Sequence, residues 1–158
     1  MAFSLSHAPG LALIGITRND SVGVDVERAR KVRIAAARRT RICDAGAAMA
    51  SAALPDCGDG GFLQAWVRLE ALAKADGCGI GRLLTRLGIF GEAARIPLDA
   101  SAMRGRAEAL LADGPARCVR DLQLGEGIFA AVACVEAPAV LPVAWLPTDV
   151  KDLEAWVG

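Results

Sequence analysis

The sequence predicts an α+β fold. Short apolar strands open the chain, one strongly amphipathic helix holds its middle, and a strand pair follows near the end, with no regular β-α-β alternation. A chain of 158 residues can bury a sizeable core, so residues 1–158 are read as a single domain. Hydrophobic residues at 54% against charged ones at 23% exclude a disordered chain.

Phe3–Ser6 reads as a short strand closed by the turn Ala8-Pro9-Gly10, and Leu11–Thr17 as a buried strand. Asn19-Asp20 signals a turn before the alternating run Val22–Glu27, so the strands on either side of it are expected to form a hairpin. Arg30–Ala53, rich in Ala and Arg, has helical composition, and Asp56–Gly61 is a loop. Phe62, Trp66, Leu69 and Ala73 then recur at the spacing of a core-facing helix, which stops at Asp76-Gly77 with Gly79 and Gly81 beyond. A short helix is expected around Ala102–Leu111. Arg117–Leu124 and Gly127–Val135 pair across Gly125-Glu126-Gly127. Val140–Leu146 reads as an edge strand, because Pro142 removes a donor, and Asp149–Trp156 as a terminal helix.

Several function classes fall away. Eighteen basic residues balance eighteen acidic ones, which removes the bulk electrostatic case for binding nucleic acid. One histidine excludes zinc sites that need two imidazoles. The N-terminal stretch lacks a basic region, and the apolar run Gly127–Leu146 is broken by Glu136, Pro138 and Pro142, so neither export nor membrane insertion is expected. Five widely spaced cysteines without Cys-x-x-Cys read as reduced thiols of a cytoplasmic protein.

Asp25 and Glu27, two apart on a strand, leave one face while Val24 and Val26 leave the other. The pair is either the solvated face of an amphipathic strand or a seat for a hard cation such as Mg2+. Glu70 and Lys74, one helical turn apart, are either a surface ion pair or a phosphate contact; only three lysines occur in this Arg-rich chain. His7, beside Ser6, is a turn residue or an anion ligand. Arg28, Arg30, Lys31, Arg33, Arg38, Arg39 and Arg41 crowd a segment without an acid, a solvated helix face or a dock for an acidic partner. No Walker loop, Rossmann fingerprint or serine-hydrolase elbow appears.

In order along the chain stand Phe3-Ser4-Leu5-Ser6-His7, Gly23-Val24-Asp25-Val26-Glu27, Trp66-Val67-Arg68-Leu69-Glu70-Ala71-Leu72-Ala73-Lys74 and Gly77-Cys78-Gly79. This series resembles the 4'-phosphopantetheinyl transferases, with their F-x-x-S-H, G-[IV]-D-[IV]-E and W-x-x-K-E-A-x-x-K signatures. The resemblance spans Phe3 to about Leu84. It implies a single copy of that family's repeated half, an antiparallel sheet packed on a long helix. It implies transfer of phosphopantetheine from coenzyme A to a serine of an acyl or peptidyl carrier protein, with release of 3',5'-ADP. Asp25, Glu27 and Glu70 would hold Mg2+, Lys74 would bind the pyrophosphate, and Ser6 and His7 would meet the 3'-phosphate. The serine proton would go to Glu70 or to a metal-bound water. Arg28, Arg30, Lys31 and Arg33 would meet the carrier's acidic helix. Two departures stand out. Leu69 replaces the motif lysine, so a catalytically impaired binding module is the alternative. The chain also starts at the first motif, which implies a homo-oligomer with the nucleotide across the interface, a dimer before a trimer.

Overall fold

The computed structural model describes residues 1–18, 21–50, 52–113, 117–135 and 141–146. They form a mixed α+β unit with antiparallel sheets and four α-helices among the described residues. Strands β1 (Ala2–Ala8) and β2 (Leu11–Thr17) make one antiparallel hairpin, in register from Ala2 opposite Thr17 to Ala8 opposite Leu11. Strands β3 (Val22–Arg28), β4 (Cys118–Asp121) and β5 (Ile128–Cys134) form a second sheet in the order β3-β5-β4. The expected hairpin between Leu11–Thr17 and Val22–Glu27 is therefore not formed. Pro9-Gly10 makes the tight turn instead, with Gly10 at a φ of 69° that suits glycine. The Asn19-Asp20 turn lies outside the described residues.

β3 takes β5 as its ladder partner because it runs through the interior, with Val22 through Asp25 and Val26 all buried. Its other edge is completed by side chains rather than by a strand. Ser4 Oγ accepts from Val24 N at 3.1 Å and Ser6 Oγ from Val26 N at 3.3 Å, so β1 supplies hydroxyls where a ladder would supply carbonyls.

Helix α1 (Ala36–Met49) starts later than composition suggests. Residues 29–35 are not helical: Val32 and Ile34 tuck against the core in alternation with exposed Lys31 and Arg33, and Arg39 donates to Val32 O at 2.7 Å. Helix α2 (Asp59–Ala75) carries the expected stripe, with Phe62, Leu69 and Ala73 buried. Leu63, Ala65, Val67, Arg68, Ala71 and Leu72 are buried too, because β3 and β5 cover one side of α2 and α1 the other. This is a central helix, not a surface one.

Helix α3 (Ile80–Arg86) follows Gly79, and α4 (Ala100–Ala112) is capped by Asp99, whose carboxylate accepts from Ala102 N at 2.8 Å. The β4 ladder ends at Asp121, short of Leu124. Residues 141–146 are not a strand: Leu141 packs against Val22, Val24 and Val132, and Pro142 offers no donor to a ladder. Val140 and the expected helix Asp149–Trp156 lie outside the described residues. The reduced-thiol reading also needs correction. Cys43 on α1 and Cys57 before α2 are disulfide-bonded, their Cα atoms 6.0 Å apart, because α1 turns Cys43 inward toward that loop. Cys78, Cys118 and Cys134 are free thiols. No helix among the described residues is long and apolar enough to cross a membrane.

Candidate active site

The site forms where β3, α2 and β1 meet. Val22, Val24 and Val26 pack toward the hairpin, around Leu13 and Ala8, while Gly23, Asp25 and Glu27 share the opposite face. That face lies against α2. A Cβ on Gly23 would collide with the Ala71 carbonyl oxygen, so the glycine is what lets the acidic strand lie this close to the helix. The solvated-face reading fails for Asp25, which is only 6% exposed.

Asp25 is held from two sides. Ser6 Oγ donates to its Oδ1 at 2.7 Å, and Lys74 Nζ donates to the same oxygen at 2.8 Å. Lys74 also donates to Val24 O at 3.0 Å and Leu5 O at 3.4 Å. Glu70, one turn earlier on α2, is half-buried and makes no hydrogen bond or ion pair among the described residues. Its pKa is raised, chiefly by burial and next by the Asp25 charge; Lys74 opposes the rise and Glu27 adds to it. Glu27 is paired with Arg30, whose Nη2 stands 3.1 Å from Oε1.

The structure thus gathers Ser6, Asp25, Glu27, Glu70 and Lys74. It does not gather His7, which leaves β1 on the face opposite Ser6 and is exposed beside Ala12. Leu69, where the motif has lysine, is 0% exposed in the core, so this position faces no ligand. Of the basic run, Arg39 pairs with Asp59 and lies over the Phe62 ring, Arg38 lies over Phe90, and Arg41 donates to the carbonyls of Gly88, Ala94 and Ile96. Arg28 donates to Pro9 O at 2.6 Å. Lys31 and Arg33 are exposed and make no hydrogen bond or ion pair among the described residues.

Sequence reasoning missed two supports. Ser4 shares the inward face of β1 with Ser6, a relation that period-two alternation could have exposed. Arg68, 0% exposed, donates to both Asp121 oxygens at 2.8 and 2.6 Å and to Gly46 O at 3.1 Å, tying α2 to β4 and α1. Its only sequence signal is a charge inside an otherwise apolar helix face.

Among the described residues no group of three His, Cys, Asp or Glu side chains is set to hold a metal ion as it stands. The donor chemistry nevertheless fits a hard cation: three carboxylates face two cationic partners, and Glu70 is left without one. Mg2+ is commonly held by one or two carboxylates, with waters and phosphate oxygens completing the set. Compared with known proteins, the chain matches no family model and no curated sequence.

Proposed function

We propose that this protein moves the 4'-phosphopantetheine group of coenzyme A onto a serine of an apo acyl or peptidyl carrier protein, as a Mg2+-dependent phosphopantetheinyl transferase. One observation supports the reading above others: Ser6, Asp25, Glu70 and Lys74, from three separate motifs, meet at a single half-buried point. Those are the residues at which the motif resemblance places phosphate and metal chemistry. Asp25, Glu27 and Glu70 would hold Mg2+, which when bound neutralises pyrophosphate charge.

The chain's own groups account for the rest. Lys74, on a flexible stem, binds the pyrophosphate and offsets charge on the departing 3',5'-ADP. The carrier serine oxygen attacks the β-phosphorus, the bond from that phosphorus to the ADP oxygen breaks, and the serine proton goes to Glu70. A carboxylate with a raised pKa suits that role, and its second oxygen stays available to the cation. Ser6 keeps Asp25 oriented, while His7, exposed on the opposite face of β1, would meet the nucleotide's 3'-phosphate from outside the cluster. Lys31 and Arg33, unpaired among the described residues, are the side chains best placed to meet an acidic carrier helix, with Arg28 and Arg30 beside them. A cytoplasmic location goes with such substrates, and in that reducing compartment the Cys43–Cys57 bridge would stand open as two thiols.

The hairpin's outer face supports a homo-oligomer. Phe3 opposite Ile16 and Leu5 opposite Ile14 are 75, 67, 55 and 54% exposed, an apolar surface that a second copy would cover, a dimer before a trimer. A monomer by light scattering that still transfers phosphopantetheine would refute this part. A second reading, a binding module without turnover, is favoured by one fact: Leu69 has taken the motif lysine's place and is buried. The test is incubation with coenzyme A, Mg2+ and an apo carrier protein, read by mass. Retained coenzyme A binding without transfer would select the second reading.

A further inference from the structure

We propose that the Lys74 ammonium is a built-in counter-ion that keeps the carboxylate cluster closed to a divalent cation until a phosphate draws it away, so that metal and phosphate bind as a pair. This rests on the phosphate-transfer reading of the same site. An ammonium has three N–H donors, and here all three have oxygens: Asp25 Oδ1 at 2.8 Å, Val24 O at 3.0 Å and Leu5 O at 3.4 Å. The oxygens come from both sheets, so the cation sits in a small oxygen cage rather than dangling beside one acid. Asp25 Oδ1 already takes two donors, Ser6 and Lys74. A divalent ion brought to Asp25 with the ammonium in place would face strong repulsion in a half-buried setting.

Either the lysine leaves or the metal stays away. Leaving is feasible: the Lys74 side chain is 31% exposed on a four-carbon stem, and its bond to Leu5 O is exposed, while the one to Val24 O is partly buried. A pyrophosphate supplies the anionic oxygens that would draw it off. Asp25 then becomes a ligand at the moment substrate arrives. Ordered loading of this kind keeps the site from filling with metal that has no phosphate to act on.

A lysine that serves only as a phosphate ligand predicts that its removal weakens phosphate binding and leaves metal binding alone unchanged. A counter-ion predicts the opposite sign for the metal. The test is Mn2+ titration followed by the electron paramagnetic resonance signal of the free ion, with and without inorganic pyrophosphate, protein binding being the loss of signal beyond that of the same mixture without protein. The unsubstituted protein is expected to bind Mn2+ weakly alone and at least tenfold more tightly with pyrophosphate. Lys74→Met is expected to bind Mn2+ alone about tenfold or more tightly than the unsubstituted protein does, with little further gain from pyrophosphate. Lys74→Gln, which keeps a donor for the Val24 carbonyl, carries the comparison if the methionine variant does not fold. Unchanged or weaker Mn2+ binding in the variants overturns the counter-ion role while leaving the metal site standing. Absence of pyrophosphate synergy in the unsubstituted protein overturns it without any substitution. No Mn2+ binding to any form, with or without pyrophosphate, overturns the metal reading itself and this inference with it.

Discussion

Asp121→Ala is expected to damage the fold far more than its position on a short, partly exposed strand suggests. Arg68 is 0% exposed and leans on Asp121 through two hydrogen bonds of 2.8 and 2.6 Å; Gln64 Nε2 adds a third to the carboxylate at 2.8 Å. Removing the carboxylate leaves a fully buried guanidinium with the Gly46 carbonyl as its remaining partner among the described residues. Breaking a buried pair from one side costs about 3–5 kcal/mol, a large share of a stability of about 5–15 kcal/mol. Arg68→Met should cost less, because Asp121 keeps Gln64 and its side chain is 17% exposed, enough to reach water. The double change Arg68→Met/Asp121→Leu removes both charges and should lie within about 1 kcal/mol of the parent. Urea denaturation followed by circular dichroism gives all three values at one pH. A loss below about 1 kcal/mol for Asp121→Ala, or a double variant as unstable as that single one, would refute the assignment of Arg68 as a buried, pair-dependent tie.

Three further outcomes follow from the same geometry. Gly23→Ala should drive α2 off β3, since the added Cβ meets backbone at Ala71 and Ala75; a loss of about 2 kcal/mol or more in urea unfolding is expected, and a near-neutral change would show that the strand-helix contact is loose. Glu70 holds its proton more tightly in the fold than in the unfolded chain, so stability should fall as pH rises from the ordinary glutamate range through the raised value and stay lower above it. Glu70→Gln should then be more stable than the parent at neutral pH, with the gap closing in acid; urea midpoints across pH check the sign. Reduction of Cys43–Cys57, which closes a short loop with a sequence separation of 14, should cost about 3 kcal/mol, and Cys57→Ser should make the melting temperature indifferent to reductant.

Much of the site was legible because its signals are local. Alternation alone places Asp25 and Glu27 on one face of β3, and helical spacing places Glu70 and Lys74 one turn apart beside the buried stripe of α2. What local pattern cannot say is what that face meets. Asp25 looks like a solvated residue until Gly23 is seen to admit α2. The choice of β5 over β2 as partner for β3 is a long-range selection, decided by burial on both faces rather than by the turn signal at Asn19-Asp20. The hairpin closes at Pro9-Gly10 for a local reason that the tighter turn chemistry already carried. Ser6 and His7 are neighbours in sequence, but the strand period sends them to opposite faces. Arg68 and the Cys43–Cys57 bridge depend on where α1 comes to rest against α2, and no spacing encodes that.

We propose that the carboxylate and lysine cluster of Asp25, Glu27, Glu70 and Lys74 carries out phosphopantetheine transfer. Its most direct test is the intact mass of an apo carrier protein after incubation with this protein, coenzyme A and Mg2+, beside the same reaction with Glu70→Ala. A gain of one phosphopantetheine is expected with the parent and none with the variant, which should remain folded. No gain on acyl and peptidyl carriers alike, or an equal gain with Glu70→Ala, would contradict it.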